Sequence, residues 1–292
     1  MTPESPVNAP AVNETAVMFW AGQDPVQTLA ELTALGIHTG QLGLPGDLDL
    51  TCAPQWRDAL QTARFRVFTV FAAYHGESYA DIPTVQRTVG FIPPATRAER
   101  ERRTLAASDF AAIIGAPGIA THIGFVPESR DDPDYQAVRD MVRRVCDHAA
   151  SHRQTFALET GQEPARTLLA FLNDVDRPNL GINFDPANMI LYGTGDPIDA
   201  LKTLAPRVLT VHCKDGDWPE PGVSGALGKE RALGEGAVGI GRFLAALRHI
   251  GYQGPLSIER EASDPARRMK DIAAAIRLLA NLKSCPGASA GI

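Results

Sequence analysis

Four short runs in the second half of the chain decide its fold: Thr155-Phe-Ala-Leu-Glu159, Leu180-Gly-Ile-Asn-Phe-Asp185, Val208-Leu-Thr-Val-His212 and Pro255-Leu-Ser-Ile-Glu259. Each run is apolar for most of its length and ends in one ionisable residue. Nearly continuous apolar runs are typical of parallel strands that are covered on both faces. Successive end residues from Glu159 to His212 are about one βα unit apart.

The same unit, an apolar run followed by a polar turn and an amphipathic segment, repeats along the whole chain. It predicts eight strands: Ala16–Ala21, Thr39–Leu44, Arg66–Ala72, Gly118–Phe125, Thr155–Glu159, Leu180–Phe184, Val208–His212 and Pro255–Ile258. It predicts eight helices: Pro25–Leu35, Pro54–Ala63, Ala98–Ile114, Asp134–Ser151, Pro164–Val175, Pro197–Leu204, Ile240–Ile250 and Pro265–Leu282. Proline after an acidic residue, as in Asp24-Pro25 and Glu163-Pro164, marks several helix starts.

Strands that alternate with helices indicate an α/β protein, and eight of each favour a closed (β/α)8 TIM barrel in a single domain. No GxGxxG motif follows the first predicted strand, which argues against a dinucleotide-binding fold. The barrel is expected over residues 15–283, with disordered tails at 1–14 and 284–292. The long connections 73–97 and 216–239 follow the third and seventh strands, where they are natural lids of a barrel site.

Composition and charge exclude several classes of function. The 292 residues are 44% hydrophobic, but no apolar run approaches the ~18 residues of a membrane helix. The net charge of −6 disfavours nucleic acid as a partner. The N-terminal segment lacks the basic and apolar parts of a secretory signal, and no cysteine pair forms a CxxC motif, so a cytoplasmic location is expected. The arginines between Arg97 and Arg103 are interpreted as a solvated helix face of mixed charge.

The ionisable residues at the strand ends are the candidate site. In a barrel the carboxyl ends of the strands converge, so Glu159, Asp185, His212 and Glu259 are expected to meet. Converging carboxylates repel one another and resist burial unless a cation neutralises them. Three carboxylates and one imidazole suit a divalent ion. We therefore expect one such ion, with Mn²⁺ first and Mg²⁺, Co²⁺ or Zn²⁺ as alternatives.

Residues near these strand ends are candidates for substrate binding. Lys214 shares the inward face with His212, while Cys213 points outward and is expected to pack against helices. Lys214 would bind a substrate oxygen or an anionic group, or else pair with Asp215 or Glu259. Asn188 would bind a substrate hydroxyl, or its side chain would instead form hydrogen bonds within the turn after Asp185.

Three further candidates lie at the ends of earlier strands. His122 follows the fourth strand and His75 the third, although a lone histidine is more often structural than catalytic. Trp20 ends the first strand, where it is either an apolar wall against a sugar ring or an ordinary core residue.

The motifs Leu158-Glu-Thr-Gly-Gln-Glu163, Asn183-Phe-Asp-Pro-Ala-Asn188, Val211-His-Cys-Lys-Asp215 and Ile258-Glu-Arg-Glu-Ala262 resemble the sugar phosphate isomerase/epimerase family. This is the xylose-isomerase-like barrel superfamily, with its ketose 3-epimerases and inosose isomerases. The resemblance implies a metal held by the four strand-end residues, with the two glutamates also serving as acid and base. The chain departs from the epimerases and the endonuclease IV group at Asn188, where those proteins carry histidine. The resemblance also allows a homo-oligomer, which no sequence feature decides.

The expected reaction is isomerisation or epimerisation of a small polyhydroxylated carbonyl compound. The metal would polarise the carbonyl, one glutamate would remove the adjacent proton to give an enediolate, and the other would return a proton. Three alternatives stay open. An inosose-type dehydratase would use the same site, an endonuclease IV-like nuclease would need more histidines and a basic face, and a non-catalytic sugar-binding barrel would need neither glutamate.

Overall fold

Eight parallel strands close into a barrel in the computed structural model, which describes residues 13–22 and 24–284. The strand order around the barrel is β1-β10-β7-β6-β5-β4-β3-β2. The barrel strands are β1 (Thr15–Trp20), β2 (Thr39–Leu44), β3 (Arg66–Ala72), β4 (Gly118–Thr121), β5 (Thr155–Glu159), β6 (Leu180–Phe184), β7 (Val208–Cys213) and β10 (Leu256–Ile258). The fold is a single (β/α)8 TIM barrel, which confirms the predicted class.

Ten α-helices accompany the strands among the described residues. They are α1 (Pro25–Ala34), α2 (Ala53–Ala63), α3 (Ile82–Thr88), α4 (Pro94–Ile114), α5 (Pro133–Ser151), α6 (Ala165–Val175), α7 (Pro186–Tyr192), α8 (Pro197–Leu204), α9 (Ile240–His249) and α10 (Pro265–Ser284). Eight of them match the predicted helices to within a few residues. The two that the sequence analysis did not predict, α3 and α7, lie in the connections after β3 and β6.

The described chain has no helix that combines the length and the apolar character needed to span a bilayer. Residues 1–12 and 285–292, which include most of the two predicted tails and Cys285, lie outside the described residues. Asn13 and Glu14 are described, and the carbonyl of Glu14 accepts a hydrogen bond from the amide of Leu256 (2.8 Å).

The fourth strand is shorter than predicted, ending at Thr121 rather than Phe125. The residues that follow leave the barrel wall and pair with the connection after β3. The amide of Phe91 donates to the carbonyl of Ile123 (2.8 Å), and Gly124 takes a positive φ of 86°. The apolar residues of this segment are therefore buried by a loop, which a pattern of hydrophobicity does not distinguish from a strand.

The predicted helix starts are correct where the acid is aspartate. Asp24 and Asp196 both accept hydrogen bonds from the first free amides of their helices. At Glu163-Pro164 the cap is absent: α6 begins at Ala165, and the Glu163 carboxylate is buried away from the helix end. There it accepts a hydrogen bond from the amide of Val126 (2.9 Å).

Two long connections rise from the carboxyl end of the barrel. The third loop (residues 73–93) contains α3, and the seventh loop (residues 214–239) contains an antiparallel pair, β8 (Asp215–Asp217) and β9 (Lys229–Arg231). The two loops meet, because the amide of Ile82 donates to the carbonyl of Gly225 (3.0 Å). Together they cover part of the barrel mouth.

Three of the four arginines of α4, Arg97, Arg100 and Arg103, do not form the solvated face that was predicted, whereas Arg102 is exposed as expected. Arg100 is buried, and its guanidinium donates to the carbonyl groups of Gly90 and Thr88. Arg97 and Arg103 also donate to backbone carbonyls of the connections, those of Phe91, Ile92, Ala73, Pro45 and Leu48. Loop carbonyls that no strand satisfies need a donor, and these arginines supply it. The interpretation was wrong for these three arginines, because spacing alone cannot show what a helix faces.

The main core lies between the barrel and its helices, and Cys213 is fully buried in it. This position confirms Cys213 as an outward-facing packing residue. Cys52, Cys146 and Cys213 are all free thiols. A smaller apolar cluster of Met18, Phe71, Ala120 and Ala157 is separate from that layer.

Candidate metal centre

Four buried side chains from consecutive strand ends meet at the barrel mouth. Each of Glu159, Asp185, His212 and Glu259 offers one potential ligand atom, and these atoms lie within 4.8 Å of one another. Nδ1 of His212 lies 2.8 Å from Glu159 Oε1, 3.5 Å from Asp185 Oδ2 and 2.9 Å from Glu259 Oε2. The convergence predicted from the strand ends is therefore present.

The backbone around Asp185 explains why this carboxylate points into the cluster. Its Oδ1 caps α7 by accepting a hydrogen bond from the amide of Asn188 (2.9 Å). Thr160 ties the ends of β5 and β6 together: its hydroxyl donates to the Asp185 carbonyl (3.0 Å), and the Asp185 amide donates to that hydroxyl (2.8 Å). With Oδ1 committed to the cap, Oδ2 is free to face His212.

A polar layer beneath the cluster orients the imidazole of His212. Nε2 of His212 is hydrogen-bonded to Oε1 of Gln41, whose amide group donates to Asn183 (2.9 Å). Thr210 donates to the same Asn183 oxygen (2.6 Å). Because Nε2 donates to Gln41, loss of the second ring proton on binding an ion would leave Nδ1 as the lone-pair nitrogen toward the carboxylates. The sequence analysis missed Gln41, whose only signal is a polar residue inside an apolar strand.

The charges of the cluster depend strongly on one another. Burial alone would raise the pKa of Glu159, but His122 and His212 outweigh it and hold that pKa well below its ordinary value. Burial opposes charge on His212 as well, yet Glu259 and Glu159 raise the pKa of His212 well above its ordinary value. A proton on His212 thus balances carboxylates that would otherwise repel.

The residues of this cluster fit a divalent ion. Oδ2 of Asp185 is buried and accepts no hydrogen bond from the described residues; its nearest cationic groups are His212 Nδ1 at 3.5 Å and the Lys214 ammonium at 4.0 Å. A buried carboxylate oxygen without a hydrogen-bond donor is costly unless a cation satisfies it. Three carboxylates with one imidazole form a donor set typical of such cations. The cluster could therefore hold a metal ion.

Lys214 lies on the inward face, as predicted, and its charge is balanced there. Its ammonium is 3.1 Å from Glu259 Oε2 and 3.2 Å from Glu261 Oε2. Burial opposes its charge, but Glu259 and Glu261 raise its pKa well above the ordinary value. Of the two predicted salt bridges, the one to Glu259 is present. The carboxylate of Asp215 instead accepts hydrogen bonds from amides of the seventh loop.

Asn188 and His122 both contact Glu159. The side-chain amide of Asn188 donates to Glu159 Oε1 (3.3 Å), while its backbone amide serves the turn after Asp185. Nε2 of His122 is 2.9 Å from Glu159 Oε2. Burial lowers the pKa of His122, but Glu159 more than compensates and raises it to about 9. His122 is thus joined to the cluster rather than being an isolated histidine.

Trp20 and His75 form no hydrogen bond or ion pair with the four residues of the cluster. Trp20 is 40% exposed at the end of β1, so the interpretation as an ordinary core residue was wrong. Its ring packs against Gly43, where a Cβ atom would clash with it. His75 is exposed in the third loop and makes no hydrogen bond or ion pair with other described residues.

A wall of uncharged polar and aromatic groups adjoins His122, and the sequence analysis missed it. The amide of Gln162 lies 3.4 Å from His122 Nδ1 and donates to the hydroxyl of Tyr192 (3.3 Å). From the third loop, the ring of Tyr79 lies 5.6 Å from the ring of His122. The signal for Gln162 was its position directly after β5. Tyr79 and Tyr192 are distant in sequence and carried none.

The family model described as the xylose isomerase-like TIM barrel matches residues 27–282 of this chain. The chain belongs to this family. A solved relative, the xylose isomerase domain protein from Planctomyces limnophilus, is 45% identical with a TM-score of 0.87; the match covers 93% of this chain and 98% of that one.

A more distant solved structure shares the fold. The D-allulose 3-epimerase from Methylomonas sp. superposes with a TM-score of 0.68 at 18% identity, over 94% of this chain and 99% of that one. The uncharacterised protein YihM from Escherichia coli (strain K12) is 31% identical over 182 residues, or 56% of this chain. The chain spans 54% to 64% of the length of the curated relatives it matches.

Proposed function

We propose that the chain is a divalent-metal-dependent isomerase or epimerase that moves a proton next to the carbonyl of a polyhydroxylated compound. The observation that supports this most directly is the position of the two glutamates. Glu159 and Glu259 approach the same His212 nitrogen at 2.8 and 2.9 Å from different strands. A substrate at this centre would therefore have a carboxylate on each of two sides.

Glu159, Asp185, His212 and Glu259 would hold the divalent ion, and the excess of oxygen donors favours Mn²⁺ or Mg²⁺ over softer ions. When bound, a divalent ion supplies polarisation of the carbonyl and neighbouring hydroxyl oxygens. We place Mn²⁺ first, because it accepts a mixed oxygen and nitrogen set.

The acid and base assignments follow from what surrounds each glutamate. Glu159 receives hydrogen bonds from Asn188 and lies 2.9 Å from His122, so it is held in place as a carboxylate that can take a proton. Glu259 lies 3.1 Å from the Lys214 ammonium, which holds this second carboxylate in place on the other side. One glutamate would remove the proton, and the other side would return it.

The balance of charge at the mouth favours an uncharged substrate over a phosphorylated one. Lys214 is buried against Glu259 and Glu261, and Arg97, Arg100 and Arg103 donate to loop carbonyls. A phosphate placed beside these groups would compete with buried carboxylates for the same cation. Gln162, Tyr192 and Tyr79 offer uncharged hydrogen-bonding groups that suit sugar hydroxyls.

The test is isotope exchange in D₂O with Mn²⁺-loaded protein and unphosphorylated ketohexoses, ketopentoses and inososes. NMR would detect deuterium entering the carbon beside the carbonyl of a substrate. We expect exchange with the wild-type protein and none with Glu159→Gln or Glu259→Gln. Glu235→Gln, which removes an exposed carboxylate of the seventh loop, is the matched control and should exchange normally.

Two results would contradict the assignments. A Glu159→Gln or Glu259→Gln variant with near-normal exchange and bound metal would show that the glutamate is not the acid or base. Exchange with the phosphorylated forms of these sugars, but not with the unphosphorylated ones, would refute the proposal that the substrate is uncharged.

A dehydratase is the second candidate, because a hydroxyl group beside the carbon that loses the proton could leave with a proton returned from the Glu259 side of the centre. It would use the same proton abstraction and would give the same first isotope signal. Mass spectrometry of the product separates the two reactions, since dehydration lowers the product mass by one water and isomerisation leaves it unchanged.

A further inference from the structure

A second group of potential ligand atoms lies on the outside of the barrel. Among the described residues, Asp109, His148 and His152 also bring three such atoms within 4.8 Å of one another. Nε2 of His148 is 2.8 Å and Nε2 of His152 is 2.9 Å from the same Asp109 oxygen. The two imidazole rings lie 5.2 Å apart, centre to centre.

The sequence brings these side chains together in a simple way. His148 and His152 are four positions apart at the end of α5, so they lie on the same face of the helix, one turn apart. Asp109 comes from the neighbouring α4. Because α4 leads into β4 and α5 leads into β5, this group lies toward the amino end of the strands. It is therefore at the opposite end of the barrel from the candidate metal centre.

A buried pair of hydrogen bonds fixes the distance between the two helices at this point. Ser108 donates to the side-chain carbonyl of Gln154 (2.6 Å), and the Gln154 amide donates back to the Ser108 carbonyl (3.0 Å). Ser108 precedes Asp109, and Gln154 is two residues beyond His152. The three ligand atoms are thus carried by backbone that is already held in position, which lowers the cost of ordering them around an ion.

We propose that Asp109, His148 and His152 form a second metal site, selective for Zn²⁺ and similar borderline ions. Two imidazole nitrogens and one carboxylate oxygen are a donor set typical of Zn²⁺, with water completing the tetrahedron. The side chains are 31%, 32% and 54% exposed for His148, His152 and Asp109, so an ion can enter directly from solvent. The ion would join α4 to α5.

The two sites should differ in the ion they prefer. The candidate metal centre offers three carboxylates and one imidazole, whereas the outer site offers one carboxylate and two imidazoles. More nitrogen donors favour Zn²⁺, Ni²⁺ and Cu²⁺ over Mn²⁺ and Mg²⁺. The proposal does not depend on the proposed reaction, since no residue of the outer site belongs to the catalytic machinery.

Zn²⁺ titration followed by calorimetry tests the site in the full chain. Asp185→Asn is used as the starting protein, so that Zn²⁺ binding at the candidate metal centre is weakened and does not obscure binding at the outer site. We expect this protein to bind one equivalent of Zn²⁺. Adding His148→Ala and His152→Ala should weaken that binding by more than about tenfold, the lower end of what loss of an outer-shell metal partner costs.

His249→Ala is the matched control, because His249 is an exposed histidine of α9. In the same Asp185→Asn background it should bind Zn²⁺ unchanged. The second measurement is thermal unfolding: excess Zn²⁺ should raise the Tm of Asp185→Asn and of the His249→Ala control, but not of the double histidine variant. Equal Zn²⁺ affinity and an equal Tm shift in the double variant would overturn the proposal.

Discussion

The two halves of the barrel end their strands differently. β5, β6, β7 and β10 lead directly into the four charged or ionisable groups of the candidate metal centre. β1 to β4 end at Trp20, Leu44, Ala72 and Thr121, none of which is ionisable. One half therefore supplies the ligands of the cluster.

The other half supplies support and cover. Gln41 of β2 orients His212, His122 follows β4 and holds Glu159, and the third loop rises from β3. Reactive groups in a barrel site must be oriented by second partners if they are to keep one geometry. We therefore expect substitutions in the half that supplies the ligands to weaken metal binding strongly, and substitutions in the supporting half to have smaller effects.

The largest effect is expected from Asp185→Asn, which removes a ligand without removing the helix cap. Asparagine caps as well as aspartate, so α7 should remain. We expect Mn²⁺ affinity to fall by more than the roughly 100-fold upper cost of losing an outer-shell partner. Calorimetric titration measures it, with Asp217→Asn of the seventh loop as the matched control. Unchanged Mn²⁺ affinity would exclude Asp185 as a ligand.

Glu163 is an acidic residue near the cluster whose charge is balanced by no ion pair with the described residues. It is buried, its Oε2 accepts no hydrogen bond from the described residues, and burial raises its pKa to about 7. Because the folded state binds this proton more tightly than the unfolded chain, Glu163 contributes stability that is lost as pH rises from about 4.5 to about 7. The loss corresponds to roughly 3 kcal/mol.

Glu163→Gln should remove that dependence while keeping an acceptor for the amide of Val126. Urea unfolding at pH 5 and pH 8 measures it as the difference between the variant and the wild type. We expect the variant to gain stability relative to wild type at pH 8 but not at pH 5. Glu128→Gln, which changes an exposed carboxylate of the connection that contains Val126, should change neither value. If the free energy of unfolding changes between pH 5 and pH 8 by the same amount in the wild type and the variant, the pKa of Glu163 is not raised.

Much of this arrangement could be predicted from sequence, because the strands are short apolar runs and their end residues are local features. The predicted bounds of β2, β3, β5 and β6 match the structure. The supporting contacts could not be predicted. Gln41 lies 142 residues from Asn183 and 171 from His212, and nothing in the pattern of β2 indicates which partners it meets across the barrel.

The prediction for the arginines and loops that cover the barrel mouth was wrong for a related reason. Arg97, Arg100 and Arg103 looked solvated because their neighbours in sequence are charged, yet their N–H groups donate to carbonyls of loops that have no regular pattern. Tyr79 reaches His122 only because the third loop is held in that position. Local periodicity describes elements, but not the loops that the elements position.

Arg100→Met tests this support of the third loop. Removing the guanidinium leaves the carbonyl groups of Thr88 and Gly90 without their buried donor, which we expect to cost about 2 kcal/mol. Hydrogen exchange should become faster at the amides of Val85 and Val89, while barrel strands on the ligand half keep their protection. Arg102→Met, an exposed arginine of the same helix, should leave exchange unchanged. Equal exchange in the two variants would show that Arg100 does not secure the loop.

The smallest effect is expected from Gln41→Met, which fills a similar volume but cannot hydrogen-bond to His212 or Asn183. The imidazole would keep its place in the cluster and lose the partner that fixes its tautomer, so Mn²⁺ affinity should fall about tenfold without a loss of fold. Thr39→Val is the matched control: Thr39 is buried on the same strand, two residues away, and its hydroxyl has no hydrogen-bond partner among the described residues. If Gln41→Met binds Mn²⁺ as tightly as Thr39→Val does, the ligand half orients His212 by itself, and the division of roles between the two halves does not hold.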